Sequence, residues 1–289
     1  MMRRPSGILA LVSWLALACN DPYGGSASAT SSSPPSAPTT PPERPHAAPE
    51  AGATVLPIVP DDPKAGNVHY VEVLLGGAKA DDALPMIVAI HGLGDDPRNF
   101  AHLFDSFTER ARLILPRGLQ PSDGGGGWSW FPGRARDPDV EAFSQGLGSA
   151  ADELARSIEL LARERKTLGK PIVTGFSQGG MLSFAIAVRH PEVVALALPV
   201  GGWLPGPLVP SEHAPKQAPP VRAFHGTDDP AVRLAPTAAS VDALKQHGWD
   251  VELREYAGVG HVITPEILRD LTDRIVDAVR ASKPARKAG

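Results

Sequence analysis

The stretch "KPIVTGFSQGGMLSFAIAVRHP", residues 170–191, changes character at its middle. Its first part is a short apolar run with β-branched residues, which reads as a buried strand. From Met181 onward Leu182, Phe184, Ala185, Ile186 and Val188 make a mostly apolar helix, stopped at His190 before Pro191. Between the two lies "GFSQGG", residues 175–180: a serine with Gly175 two places before it and Gly179 two places after. A serine at a sharp strand-to-helix turn projects its oxygen clear of the backbone, and the crowded turn demands small neighbours. Five letters alone do not separate a nucleophile from an ordinary Gly-Ser turn. The strand before Ser177 and the helix after it favour the nucleophile.

Working outward, strand and helix patterns alternate. Residues 67–76 and 85–92 read as strands, 99–111 as a helix and 112–116 as a strand. Apolar residues recur at helical spacing over 148–169, with Gly169 as the stop. Beyond the serine turn come strands over 193–202 and 220–226, a helix over 235–248, a strand over 249–258 and an amphipathic helix over 264–282. Such alternation predicts an α/β fold with a mostly parallel sheet and helices on both faces.

A serine hydroxyl needs a general base, and the base needs an orienting acid. In α/β enzymes built on such a turn the chain order is Ser, then acid, then His. "HGTDDP" (225–230) follows one later strand and offers Asp228 and Asp229, and "GVGH" (258–261) follows the next and offers His261. The candidates Ser177, Asp229 and His261 each sit just past the carboxyl end of a predicted strand, the edge where open α/β sheets bind ligands. Taken singly, such an Asp reads as an Asx turn and such a His as a solvated loop residue. The developing oxyanion needs backbone donors, and the expected pair is the N–H of Gln178, after the nucleophile, and that of Leu93 in "HGLGDD" (91–96). His91 and His225 end strands and are read as structural.

These segments, with "GGWLP" (201–205), together resemble the phospholipase/carboxylesterase family, which includes the acyl-protein thioesterases. The resemblance covers about residues 66–282. It implies an α/β-hydrolase fold without a large cap domain, the Ser177–Asp229–His261 triad, and an oxyanion hole from Leu93 and Gln178. It also implies hydrolysis of carboxyl esters, lysophospholipids or thioesters with no cofactor and no metal. It selects Asp229 over Asp228 because the acid stands directly before the proline. The Gly- and Trp-rich segment 122–139 departs from the family pattern. Trp128, Trp130, Phe131 and Trp203 are therefore candidates for lining the cleft, the alternative being that they pack beneath their own loops. Rival readings are a polyester depolymerase or feruloyl-esterase-like hydrolase, and a non-catalytic binding lipoprotein of the same fold.

The ends of the chain carry a different message. Arg3 and Arg4 precede an apolar run, residues 8–18, that is too short to span a bilayer, so residues 1–19 read as an export signal. The sole cysteine, Cys19, follows "ALA" and resembles the end of a bacterial lipobox, which predicts lipidation; the alternative is a cleaved leader whose cysteine is discarded. Residues 20–55, rich in Ser, Pro, Ala and Thr, read as a disordered tether, 56–283 as the folded domain and 284–289 as a tail. The chain of 289 residues is 42% hydrophobic, enough for one sizeable core. Its net charge of −4, without a basic stripe, excludes a nucleic-acid binder. The expected partner is a small-molecule or lipid ester, with membrane contact only through the anchor. Oligomeric state stays open.

Overall fold

A computed structural model of the chain describes residues 62–123 and 126–283. The leader with Cys19, the tether and the tail lie outside the described residues. In chain order the elements are β1 (Lys64–Ala65), β2 (Val68–Leu75), β3 (Met86–Ile90), α1 (Pro97–Ala101), β4 (Ala111–Pro116), β5 (Gln120–Pro121) and β6 (Trp128–Ser129). They continue with α2 (Val140–Glu164), β7 (Ile172–Phe176), α3 (Gln178–Arg189), β8 (Leu196–Val200), β9 (Val221–Gly226), α4 (Leu234–Gln246), β10 (Val251–Tyr256) and α5 (Pro265–Ala281).

One eight-stranded sheet runs in the order β1-β2-β4-β3-β7-β8-β9-β10. From β4 to β10 every pairing is parallel, and β1 and β2 add an antiparallel edge. β3, β4 and β7 are buried or nearly so along their whole length, which is why their sequences are mostly apolar rather than alternating; the exceptions are Thr174 and Arg112, the latter paired with Glu72. One core lies between the sheet and α2, α3 and α4, around Phe143, Leu154, Met181, Phe184 and Leu244. The other lies under α1 and α5, around Phe100, Phe104, Ile267, Leu271 and Ile275. α3 is buried nearly all round, in keeping with its mostly apolar sequence, whereas α5 buries one stripe. Among the described residues no large cap domain covers the sheet.

Two helix expectations need correction. The helix expected over 99–111 is only α1 and a 3₁₀ turn at His102–Phe104. Phe104 and Phe107 insert together into the lower core, rings 6.2 Å apart, and the chain then straightens so that Ala111 pairs with Leu75. The helix expected over 148–169 spans 140–164 instead. It starts early because the Asp139 carboxylate caps it, accepting the Ala142 N–H at 2.9 Å. It stops early because the chain from Arg165 runs extended and brackets Leu84, through Leu84 N–H to Lys166 O and Leu168 N–H to Leu84 O.

Candidate active site

β7 sits at the middle of the parallel sheet, between β3 and β8, and runs straight into Ser177. Among the described residues Ser177 is the only non-glycine with positive φ, at φ 57° and ψ −117°. Strain of this kind costs on the order of 1–3 kcal/mol and persists only where the surroundings enforce it. Here the Ser177 N–H donates to Val200 O at 3.0 Å, and Ser177 O accepts the Met181 N–H at 2.9 Å, so the turn is tied to β8 and to α3 at once.

Ser177, Asp229 and His261, distant in sequence, meet at the carboxyl edge of the sheet. The Ser177 hydroxyl lies 3.0 Å from His261 Nε2, and His261 Nδ1 lies 2.6 Å from Asp229 Oδ2. A carboxylate partner requires the proton on Nδ1, which leaves Nε2 free to accept the serine proton. Asp229 is itself fixed: its Oδ1 accepts the N–H groups of Ala231 and Val232 at 2.9 and 2.8 Å. Its side chain is 1% exposed, that of His261 20%. The Phe176 ring lies against His261, centroids 4.6 Å apart. Asp228 is exposed and accepts the Thr227 hydroxyl at 2.9 Å, away from the histidine.

Leu93 and Gln178 flank the serine. Among the described residues neither N–H has an acceptor within the protein. That of Gln178 is one of the free donors at the start of α3, where the helix dipole adds partial positive charge. The loop carrying Leu93 is held by His91, whose partners lie nearby in space and include Gly118, 27 residues away. His91 Nδ1–H donates to Gly92 O at 2.7 Å, and its Nε2 accepts the Gly118 N–H at 3.0 Å. Burial pushes this imidazole below its usual pKa, so it stays neutral, as the accepting nitrogen requires. His225 is likewise buried; it donates Nε2–H to Val232 O at 2.8 Å, and burial pushes its pKa down.

The aromatic candidates divide. Trp128 and Trp130 line none of the three cavities at this edge. The Trp130 ring is buried, 5.1 Å from His91, and its Nε1–H donates to His91 O at 2.9 Å. Trp128 lies beneath the Arg117 guanidinium, 4.0 Å from its ring centre, and its backbone pairs with Gly94 and Asp95. Phe131, though buried, borders the outer cavity, and Trp203 borders a side cavity while stacking on Phe143. The side chain of Gln178 has a task that the sequence did not signal. Its Oε1 accepts the Trp130 N–H at 3.1 Å and its Nε2 donates to Phe131 O at 3.2 Å, binding the Trp loop to the serine turn.

Three adjoining cavities open at this edge. The inner one, about 370 Å³, contains Ser177 and His261 and is walled by Phe143, Met181, Pro230 and Val232. The outer one, about 440 Å³, shares Leu93 and Gly133 with it. The side cavity, about 320 Å³, shares Ala135 and Val232. Among the described residues no group of three or more His, Cys, Asp or Glu is placed to hold a metal ion.

A parallel sheet whose central strand runs into a strained serine turn is the architecture of an α/β serine hydrolase. Solved structures agree on the fold: esterase PE8 superposes with a TM-score of 0.62 at 24% identity, over 73% of this chain and 98% of its own. The chain belongs to the phospholipase/carboxylesterase family, whose model matches residues 77–277, and is an enzyme of the serine hydrolase type acting on carboxylic esters. It is similar to acyl-protein thioesterase 1 of Gibberella zeae, 27% identical over 204 residues, which cover 64% of this chain and 86% of the relative. It is also similar to the carboxylesterase SOBER1 of Arabidopsis thaliana, 26% identical over 220 residues, 69% of this chain and 93% of that one.

Proposed function

We propose that the protein hydrolyses carboxyl esters through an acyl-enzyme on Ser177. The observation that carries this reading is the unbroken hydrogen-bond chain from Ser177 through His261 to Asp229, mounted on a strained turn. The serine Oγ attacks the substrate carbonyl as its proton passes to His261 Nε2. Asp229 holds the imidazole in the productive tautomer and stabilises the imidazolium. The oxyanion is received by the N–H groups of Leu93 and Gln178, aided by the start of α3. His261 then protonates the leaving alcohol or thiol, and water activated by the same histidine releases the acid. The inner cavity, about 370 Å³ and adjoining the outer and side cavities, lies within the usual range of ligand-site volumes, roughly 300–1,000 Å³.

A hydrolysis panel of p-nitrophenyl esters of graded length, lysophospholipids and acyl thioesters tests the substrate class. Fluorophosphonate labelling tests the nucleophile. We expect label on Ser177 and a loss of at least about a thousandfold in Ser177→Ala. Near wild-type turnover in that variant would refute the mechanism, and a folded protein without label or turnover would favour a binding module.

Export and lipid anchoring at Cys19 belong to the same reading, supported by Arg3, Arg4, the apolar run 8–18 and "ALAC" at 16–19. The Ser/Pro-rich stretch would then hold the enzyme off a membrane surface. Mass spectrometry of the mature N-terminus decides between a lipidated Cys19 and a leader cleaved beyond it.

A further inference from the structure

We propose that Arg134 and Arg136, with Arg233, make the cleft selective for esters that carry an anionic group a short distance from the scissile bond. This specificity rests on the reading of Ser177 as the nucleophile.

Among the described residues the inner and side cavities are bordered by arginines and by no carboxylate. The cavity holding Ser177 and His261 is also lined by Arg134 and Arg136, and among the described residues no carboxylate lines it. The adjoining side cavity is lined by Arg136 and Arg233, again with no carboxylate. Arg136 thus borders both, and marks where they meet. Among the described residues the outer cavity alone carries acids, Asp123 and Asp137, which offset the two arginines on that side. The balance therefore favours an anion toward the inner and side cavities. This local excess stands out against a chain whose net charge is −4.

The three arginines also lack internal partners. Elsewhere on the surface Arg98, Arg110, Arg189, Arg254 and Arg280 each reach a carboxylate. Among the described residues Arg134, Arg136 and Arg233 make no ion pair and no side-chain hydrogen bond. An unpaired arginine on an open helix face means little, because water solvates it. Beside a concave site with apolar walls, such charges focus potential and offer planar, bidentate donors to carboxylate or phosphate. An anion bound there would be positioned against Ser177 as well as attracted to it.

The anion can belong to the acyl part or to the alcohol part, and two matched pairs of substrates distinguish these sources. For the acyl side, mono-p-nitrophenyl adipate is compared with its methyl ester. For the alcohol side, the butyryl ester of para-hydroxybenzoate is compared with that of methyl para-hydroxybenzoate. The readout is the ratio of kcat/KM, anionic to uncharged, within each pair.

We expect a ratio of about fivefold or more in one pair, falling toward one in the Arg134→Gln/Arg136→Gln double variant. High salt should lower the ratio too, because the arginines are exposed. The pair that responds identifies the source of the charge. A ratio at or below one in both pairs overturns the proposal, even though turnover of the uncharged esters, lost in Ser177→Ala, would still support the serine mechanism. A high ratio that survives in the double variant overturns the assignment to these arginines. No turnover of any of the four esters overturns both readings.

Discussion

At the scale of single residues, two adjacent carboxylates in "HGTDDP" do different work. Asp229 Oδ2 bonds His261 at 2.6 Å, while its Oδ1 is pinned by two backbone N–H groups, so its orientation is set from both ends. Asp228 faces solvent, and among the described residues its carboxylate accepts only the Thr227 hydroxyl beside it. An Asn at 229 would keep the size of the side chain but could present N–H to His261 Nδ1, favouring the wrong tautomer. In serine proteases that change costs about ten-thousand-fold in kcat. Asp229→Asn should therefore lose several orders of magnitude in kcat on any one ester. Asp228→Asn should lose about tenfold or less. If Asp228→Asn is the crippled variant, the acid is the other residue. Trp130 gives a second contrast. Its indole N–H supports His91, and His91 holds the loop of Leu93. Trp130→Phe should lower kcat by about tenfold and by a similar factor across acyl chain lengths, whereas Trp203→Ala, beside a cavity, should change the ranking among esters. A reordered ranking in Trp130→Phe would return it to the substrate.

At the scale of elements, the serine turn works because three backbones approach it closely. A Cβ on Gly179 would collide with Ile90 O and lie 2.8 Å from His91 O, both backbone atoms of β3 and its loop that cannot swing aside. Gly179→Ala should thus cost several kcal/mol, in the range of severe overpacking, and should lower thermal stability and activity together. Gly206→Ala is the control: a Cβ there meets nothing within 4 Å, and its Tm should move by no more than a degree or two. Equal Tm values for the two variants would mean that β3 yields to the turn. The turn was legible in the sequence for the same reason that it is intolerant, since glycine spacing, a β-branched strand and an apolar helix are all local demands. The three residues of the hydrogen-bond chain were legible because each follows a strand end, although only the family resemblance separated Asp229 from Asp228. What was not legible depended on distant partners. The helix over 99–111 failed because Phe107 is drawn into a core formed by α5, and the α2 limits moved because Asp139 caps it and Leu84 captures the chain after it. The Gln178 side chain and the arginines of the cleft gave no signal at all. Their partners lie about 45 residues away, as Gln178 with Phe131 does, or are not in the chain.

At the scale of the whole molecule, the carboxyl edge of the sheet depends on two histidines that must stay neutral. His91 accepts a backbone N–H through one ring nitrogen, and His225, on β9, is buried with its Nε2–H donating to Val232 O and Asp229 Oδ2 3.6 Å from its ring. That carboxylate favours the charged form of His225, yet burial outweighs it, and both imidazoles are held below their usual pKa of about 6.5. In the unfolded chain both would take up protons as pH falls through about 6.5, while in the folded chain they would not. Their contribution to stability is therefore complete above about pH 6.5 and declines from there toward their lowered folded values. Paired carboxylates act in a different window. For Asp152, burial raises the pKa but hydrogen bonds from Arg189 and His190 more than offset it. Its contribution therefore holds through the range above about pH 4 and is lost only as pH falls through its lowered value. A decline in Tm between about pH 6.5 and pH 5 thus reports on the histidines rather than on that pair. We expect Tm to fall by several degrees across this interval. In His225→Gln, whose amide can still donate to Val232 O but cannot titrate, the slope should be shallower. A flat Tm in the unsubstituted protein, or an unchanged slope in the variant, would show that the edge tolerates a charged histidine and that burial is not what keeps His225 neutral.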